Sequence, residues 1–173
     1  MHIIDRTDDR GPLKSVDVYA RRMLIVHRCS AGENVAEIAE FFRSNPEASK
    51  ATGGRMPYHF AIGRGGRVEQ AHRILDISPH AAKFNLEGIG VAVVGDFRFD
   101  KPTPAQWTSL VDLCHVLRAH LYGPRAIHGH TSLDGASRDA DKVCPGPGLD
   151  FDALRREAEE MAQRELWEHG IRA

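Results

Sequence analysis

Residues 23–44 read MLIVHRCSAGENVAEIAEFFRS. The first five form a short apolar run that predicts a buried strand, and the run ends on a histidine. From Asn34 the period changes. Val35, Ile38, Ala39 and Phe42 recur at three- and four-residue steps, which predicts a helix with one apolar face. Asn34 or a neighbour can cap its first turn. A buried strand leading into an amphipathic helix is the unit from which α/β folds are built.

The rest of the chain continues in kind. NPEASKATGGRMP (45–57) reads as a loop from its Pro and Gly content. YHFAIGRGGRVEQA (58–71) reads as two strands joined by a Gly-Gly turn. GIGVAVVGDF (88–97) is a buried strand ending in a Gly-Asp turn. In the stretch that starts at Thr103, Thr103 caps, Pro104 takes the first helical position and Gln106 completes a capping box. Trp107, Leu110, Val111, Cys114, Leu117 and Leu121 make that helix's apolar stripe. RAIHGH (125–130) is a short strand, and Asp150 caps a last helix with Phe151, Leu154, Ala158 and Met161 on one face. The expected architecture is α/β: a mixed central sheet flanked by helices in a single domain over 23–173, with residues 1–22 as an N-terminal arm. Ligands in such folds collect at the C-terminal ends of the strands.

The bulk properties narrow the function. At 173 residues, 42% hydrophobic and 27% charged, the chain suits one domain with a full core. A formal net charge of −1 gives no support for broad nucleic-acid binding through phosphate neutralisation. Three cysteines without regular spacing make no disulfide framework. No run approaches membrane-spanning length, and MHIIDRTDDRGP (1–12) has no apolar signal core, so synthesis in the cytoplasm without membrane insertion is expected. A monomer is expected.

Ten histidines give the first chemical hint. His27 ends one predicted strand and His130 lies at or just beyond the end of another. Cys144 follows the polar loop TSLDGASRDADKV (131–143), which can fold back to the same edge. Two imidazoles and a thiolate suit zinc, and three protein ligands leave a fourth position for water. Zinc brings the pKa of such a water to roughly 7, the equipment for hydrolysing an amide or ester. Lys142, two residues before Cys144, can neutralise a developing oxyanion, or it is a solvated loop lysine. Tyr58 can hydrogen-bond the water or the substrate, or it is a core aromatic. His128 alternates with His130 and reads as structural, as does Cys29, because His-x-Cys is a poor zinc pair.

Taken in order, IVHRCSAG (25–32), MPYHFAIGRGGRVEQA (56–71), SPHAAKFNLEGIGVAVVGDF (78–97), TPAQWTSLVDL (103–113) and IHGHTSLDGASRDADKVCPG (127–146) resemble the zinc-dependent N-acetylmuramoyl-L-alanine amidases. That family includes phage endolysins, cytosolic recycling amidases and peptidoglycan recognition proteins. The resemblance implies one zinc ion per chain on His27, His130 and Cys144, and catalytic roles for Tyr58 and Lys142. It also implies that His80 and Asn85 line the substrate groove. The implied reaction is hydrolysis of the amide between the lactyl group of N-acetylmuramic acid and L-alanine, with peptidoglycan or muropeptides as the partner. A lytic enzyme that reaches the wall on release is the leading role, and a cytosolic recycling amidase fits the same residues. One departure stands out. Many members run the first ligand directly into Cys-Ser-Ala or His-Thr-Ala, whereas here Arg28 intervenes. Arginine has no lone pair to give a metal, so His27 is kept as ligand and Arg28 is read as a one-residue loop insertion.

Three other readings use the same residues. Cys144 could be the nucleophile of a thiol amidase, which would survive zinc chelation. The chain could be a non-catalytic peptidoglycan-binding module, which Cys144 and Lys142 argue against. A His2Cys copper site with Met56 or Met161 as axial ligand is the most remote.

Overall fold

The computed structural model describes residues 1–7, 14–120, 126–133 and 143–168. Six strands form one mixed sheet: β1 (Ile3–Asp5), β2 (Met23–Cys29), β3 (Phe60–Ile62), β4 (Val68–Gln70), β5 (Gly88–Val94) and β6 (Ala126–Gly129). Their order is β1-β4-β3-β5-β2-β6. Only β3–β4 is antiparallel, as a short hairpin connection requires; the other neighbours run parallel. The helices are α1 (Val35–Ser44), α2 (Pro46–Thr52), α3 (Pro104–His120), α4 (His130–Leu133) and α5 (Phe151–Glu168). None of the described helices is long and apolar enough to cross a membrane.

The α/β expectation holds, and local chemistry explains the elements. The Asn34 side chain accepts from Glu37 N and starts α1. Thr103 Oγ1 accepts from Gln106 N at 3.1 Å while Gln106 Oε1 accepts from Thr103 N at 3.1 Å, the reciprocal capping box read from the sequence. Asp150 Oδ1 accepts from Asp152 N and Ala153 N at the start of α5.

Two segments depart from expectation. Residues 45–57, read as a loop, contain α2. Asn45 caps it by accepting from Ala48 N, Pro46 takes the first turn, and Gly53 ends it at φ 66, a left-handed cap that glycine adopts without strain. The Pro and Gly that signalled a loop are the helix's own start and stop. Residues 1–22, read as an arm, include β1, which pairs in parallel with β4 and so extends the sheet by one strand.

Side chains of β2 alternate between two cores. Leu24 and Val26 join Phe60, Ile62, Val91 and Val93 against α3 and α5. Cys29, with Ala61, Ala92 and Val94, packs against Val35 and Ile38 of α1. His27, two residues before Cys29, falls on the α1 side of the sheet by the same period-two rule. Gln106 ties α3 to the sheet: its amide is buried and donates to Val94 O at 2.7 Å. Gln106→Ala leaves that carbonyl without its side-chain donor and removes half of the capping box. A loss of about 2 kcal/mol in urea unfolding is expected. A loss below about 0.5 kcal/mol would show that water replaces both bonds.

Candidate metal centre

β2 runs in unbroken register with β5: His27 sits opposite Ala92, Arg28 opposite Val93, Cys29 opposite Val94. Arg28 is therefore not a loop insertion, as the sequence had suggested, but an ordinary strand residue. It points away from His27 and does separate work. Its Nε donates to Val143 O at 3.1 Å and its guanidinium pairs with Asp96 at 2.9 Å. The strand thus offers His27 to one side and, one residue on, fastens the backbone next to Cys144.

His130 is the first residue of α4, directly after β6. Its neighbour Thr131 holds Cys144 by the backbone. Thr131 N donates to Cys144 O at 3.0 Å, and Thr131 Oγ1 accepts from Cys144 N at 3.2 Å. Three remote segments therefore converge, and one ligand atom from each of His27, His130 and Cys144 lies within 4.8 Å of the others. The His27 and His130 ring centroids are 4.6 Å apart, and His27 Nδ1 is 3.9 Å from Cys144 Sγ. In tetrahedral zinc sites, bond lengths near 2.1 Å to nitrogen and 2.3 Å to sulfur put N and S about 3.6 Å apart. The donor set and its spacing fit a zinc-sized ion, and Cys29, buried in the α1-side core, is not part of the group.

The electrostatics suit His27 as a ligand. His27 is 2% exposed. Burial first, then His80, His130 and His59, hold its pKa well below the usual imidazole range, so it presents a neutral ring with a free lone pair. Burial pushes the Cys144 thiol up, opposed by a backbone hydrogen bond and the charge from Arg28. Tyr58 packs its ring 5.0 Å from that of His27 and is 9% exposed. Burial, with Cys29 and Cys144 adding to it, raises its pKa well above 10, so the phenol keeps its proton.

The other expected residues fall differently. Lys142 lies outside the described residues. His80 is 6% exposed and faces inward, Nδ1 3.2 Å from His27 Nε2 and Nε2 3.3 Å from Gly88 O. Asn85 Oδ1 accepts from Ala81 N at 2.7 Å and its carbonyl accepts from Arg21 at 3.0 Å. The described polar contacts of His80 and Asn85 are internal to the fold, and Asn85 is half-buried. Sequence reasoning missed His59, fully buried, whose Nδ1 accepts from Gly90 N at 3.0 Å. It missed Arg21 as well. No spacing marks either one.

The family model for N-acetylmuramoyl-L-alanine amidase matches residues 18–147. The chain belongs to that amidase family. This family member is 34% identical over 86 residues to a peptidoglycan recognition protein of Bombyx mori, a match covering 49% of this chain and 44% of that one. It is 37% identical over 93 residues to the endolysin of Enterobacteria phage T3, covering 51% and 57%. The matches to these curated relatives thus span about half of their length. In fold, the family member matches the N-acetylmuramoyl-L-alanine amidase LysC from Clostridium intestinale URNW with a TM-score of 0.69 over 92% of this chain and 98% of that one, at 20% identity.

Proposed function

We propose that this chain hydrolyses the amide between the lactyl group of N-acetylmuramic acid and L-alanine in peptidoglycan, acting as a monomeric lytic enzyme on the cell wall. One zinc ion would be held by His27, His130 and Cys144. The observation that carries the reading is the convergence of those three donors within 4.8 Å, from three separate segments of an amidase-family chain.

When bound, zinc supplies Lewis acidity, which polarises a carbonyl and makes water a competent nucleophile near neutral pH. The chain's own groups do the rest. The Tyr58 phenol, protonated and beside His27, donates a hydrogen bond that orients the reacting oxygen. Lys142 brings an ammonium two residues before Cys144, where it neutralises the oxyanion of the tetrahedral intermediate. Arg28 and Thr131 hold the backbone on either side of the Cys144 amide, so the thiolate keeps its place through turnover.

Digestion of purified sacculi tests the proposal. New alanine amino termini and glycan strands with intact lactyl groups are expected, lost on zinc chelation and restored by Zn²⁺. Zinc-loaded protein that binds sacculi without releasing such termini would sink the catalytic reading in favour of a binding module. Faster turnover of soluble muropeptides than of sacculi would move the role to recycling. Lys142→Ala is expected to keep one zinc per chain and to lose about 10²-fold or more in turnover. Retained turnover in this variant would remove Lys142 from the mechanism.

A further inference from the structure

The geometry points to His80 as the positioning residue that fixes which nitrogen of His27 is offered to the ion. This rests on reading His27, His130 and Cys144 as a metal centre. Two hydrogen bonds run in series: His27 Nε2 to His80 Nδ1 at 3.2 Å, then His80 Nε2 to Gly88 O at 3.3 Å. Their direction follows from the last acceptor. A carbonyl oxygen cannot donate, so His80 carries its proton on Nε2. A neutral His80 then has its lone pair on Nδ1 and must receive the proton of His27 Nε2. His27 is left with its lone pair on Nδ1, the atom that faces Cys144 Sγ at 3.9 Å. The reverse direction needs a second proton on a ring that is 6% exposed and has no carboxylate among its described contacts.

β5 is shaped for this ring. A Cβ at Gly90 would stand 2.7 Å from His80 Cγ and 2.8 Å from its Nδ1, and one at Gly88 would stand 3.0 Å from its Cε1. Two alternate glycines thus leave a bare strip of strand on which the imidazole lies. Behind it His59 packs at 5.6 Å between ring centroids, held by Ser78 Oγ and Gly90 N on Nδ1 and by Asp76 O at Nε2. The His80 backbone is pinned by its own N–H to Ser78 O at 3.0 Å. A ligand's outer hydrogen-bond partner sets its tautomer and orientation, and losing such a partner weakens metal affinity about 10–100-fold.

The test is zinc affinity, measured by competition with a chromophoric chelator, alongside urea unfolding of the metal-free protein. In the wild type one equivalent of zinc is expected. His80→Ala should weaken its affinity about 10–100-fold. His80→Asn places Oδ1 where Nδ1 stood, still accepts from His27 Nε2, and should recover most of the loss. His80→Gln places its amide at the Gly88 end instead and should bind as weakly as His80→Ala. The Asn–Gln contrast carries the comparison even if the alanine variant does not fold. Equal affinity in the Asn and Gln variants, or wild-type affinity in the Ala variant, would overturn the role of His80. A wild type that takes up no zinc would overturn the metal centre itself, a distinguishable result.

Discussion

His130→Ala is expected to lose zinc and peptidoglycan hydrolysis together while remaining folded. The residue opens α4 at the edge of the sheet and is only partly buried, so its removal makes no core cavity. Unfolding of the metal-free variant should match wild type within about 1 kcal/mol. Zinc sites at neutral pH are worth about 10–16 kcal/mol over four ligands, so removing one should weaken binding at least about 10²-fold. Elemental analysis after dialysis and release of alanine amino termini measure the two effects. A variant that retained stoichiometric zinc at wild-type affinity would show that the ion sits elsewhere. The contrast with Lys142→Ala separates holding the ion from using it.

Arg21→Ala is expected to destabilise the protein by about 3–5 kcal/mol, a large part of the 5–15 kcal/mol typical of a domain. Arg21 has no exposed surface, yet it is a full cation: burial pushes its pKa down only to about 10, with Asp76 opposing. The guanidinium donates to the carbonyls of Asn85 at 3.0 Å and Gly88 at 2.6 Å, and also to those of Leu86 and Asp76. Removing it takes a donor from four carbonyls: Gly88 O and Asp76 O keep His80 Nε2 and His59 Nε2 as partners, whereas those of Asn85 and Leu86 lose their described side-chain donor, at a cost of about 1–3 kcal/mol for each one left buried. Arg21→Lys should recover little, because one ammonium cannot span that fork. These carbonyls belong to the segment that carries His80, so zinc affinity should fall with stability. Urea unfolding of the metal-free protein measures the first effect. A change under about 1 kcal/mol would mean that water reaches the vacated site.

The features legible in the sequence were those set by local rules. The α1 and α3 caps, the β3–β4 hairpin and the apolar faces of α3 and α5 each depend on residues a few positions apart. The three metal-binding candidates were legible because ligand chemistry restricts the residue types, and the structure brings them together. What stayed hidden depends on tertiary placement. Nothing near Ile3 announces that β4 has a free edge for it. Arg28 looked like an insertion because a motif was compared one residue at a time, whereas the β2–β5 register absorbs it. The seating of the His80 ring on β5 was hidden because the two glycines that make room for it lie eight and ten positions downstream, on another element.

Arg28 and Thr131 hold the stretch around Cys144 from two sides without using the thiol. The Cys144 backbone is therefore fixed by hydrogen bonds that do not involve its sulfur. If Cys144 ligates zinc as proposed, this anchoring would lower the ordering entropy that coordination costs.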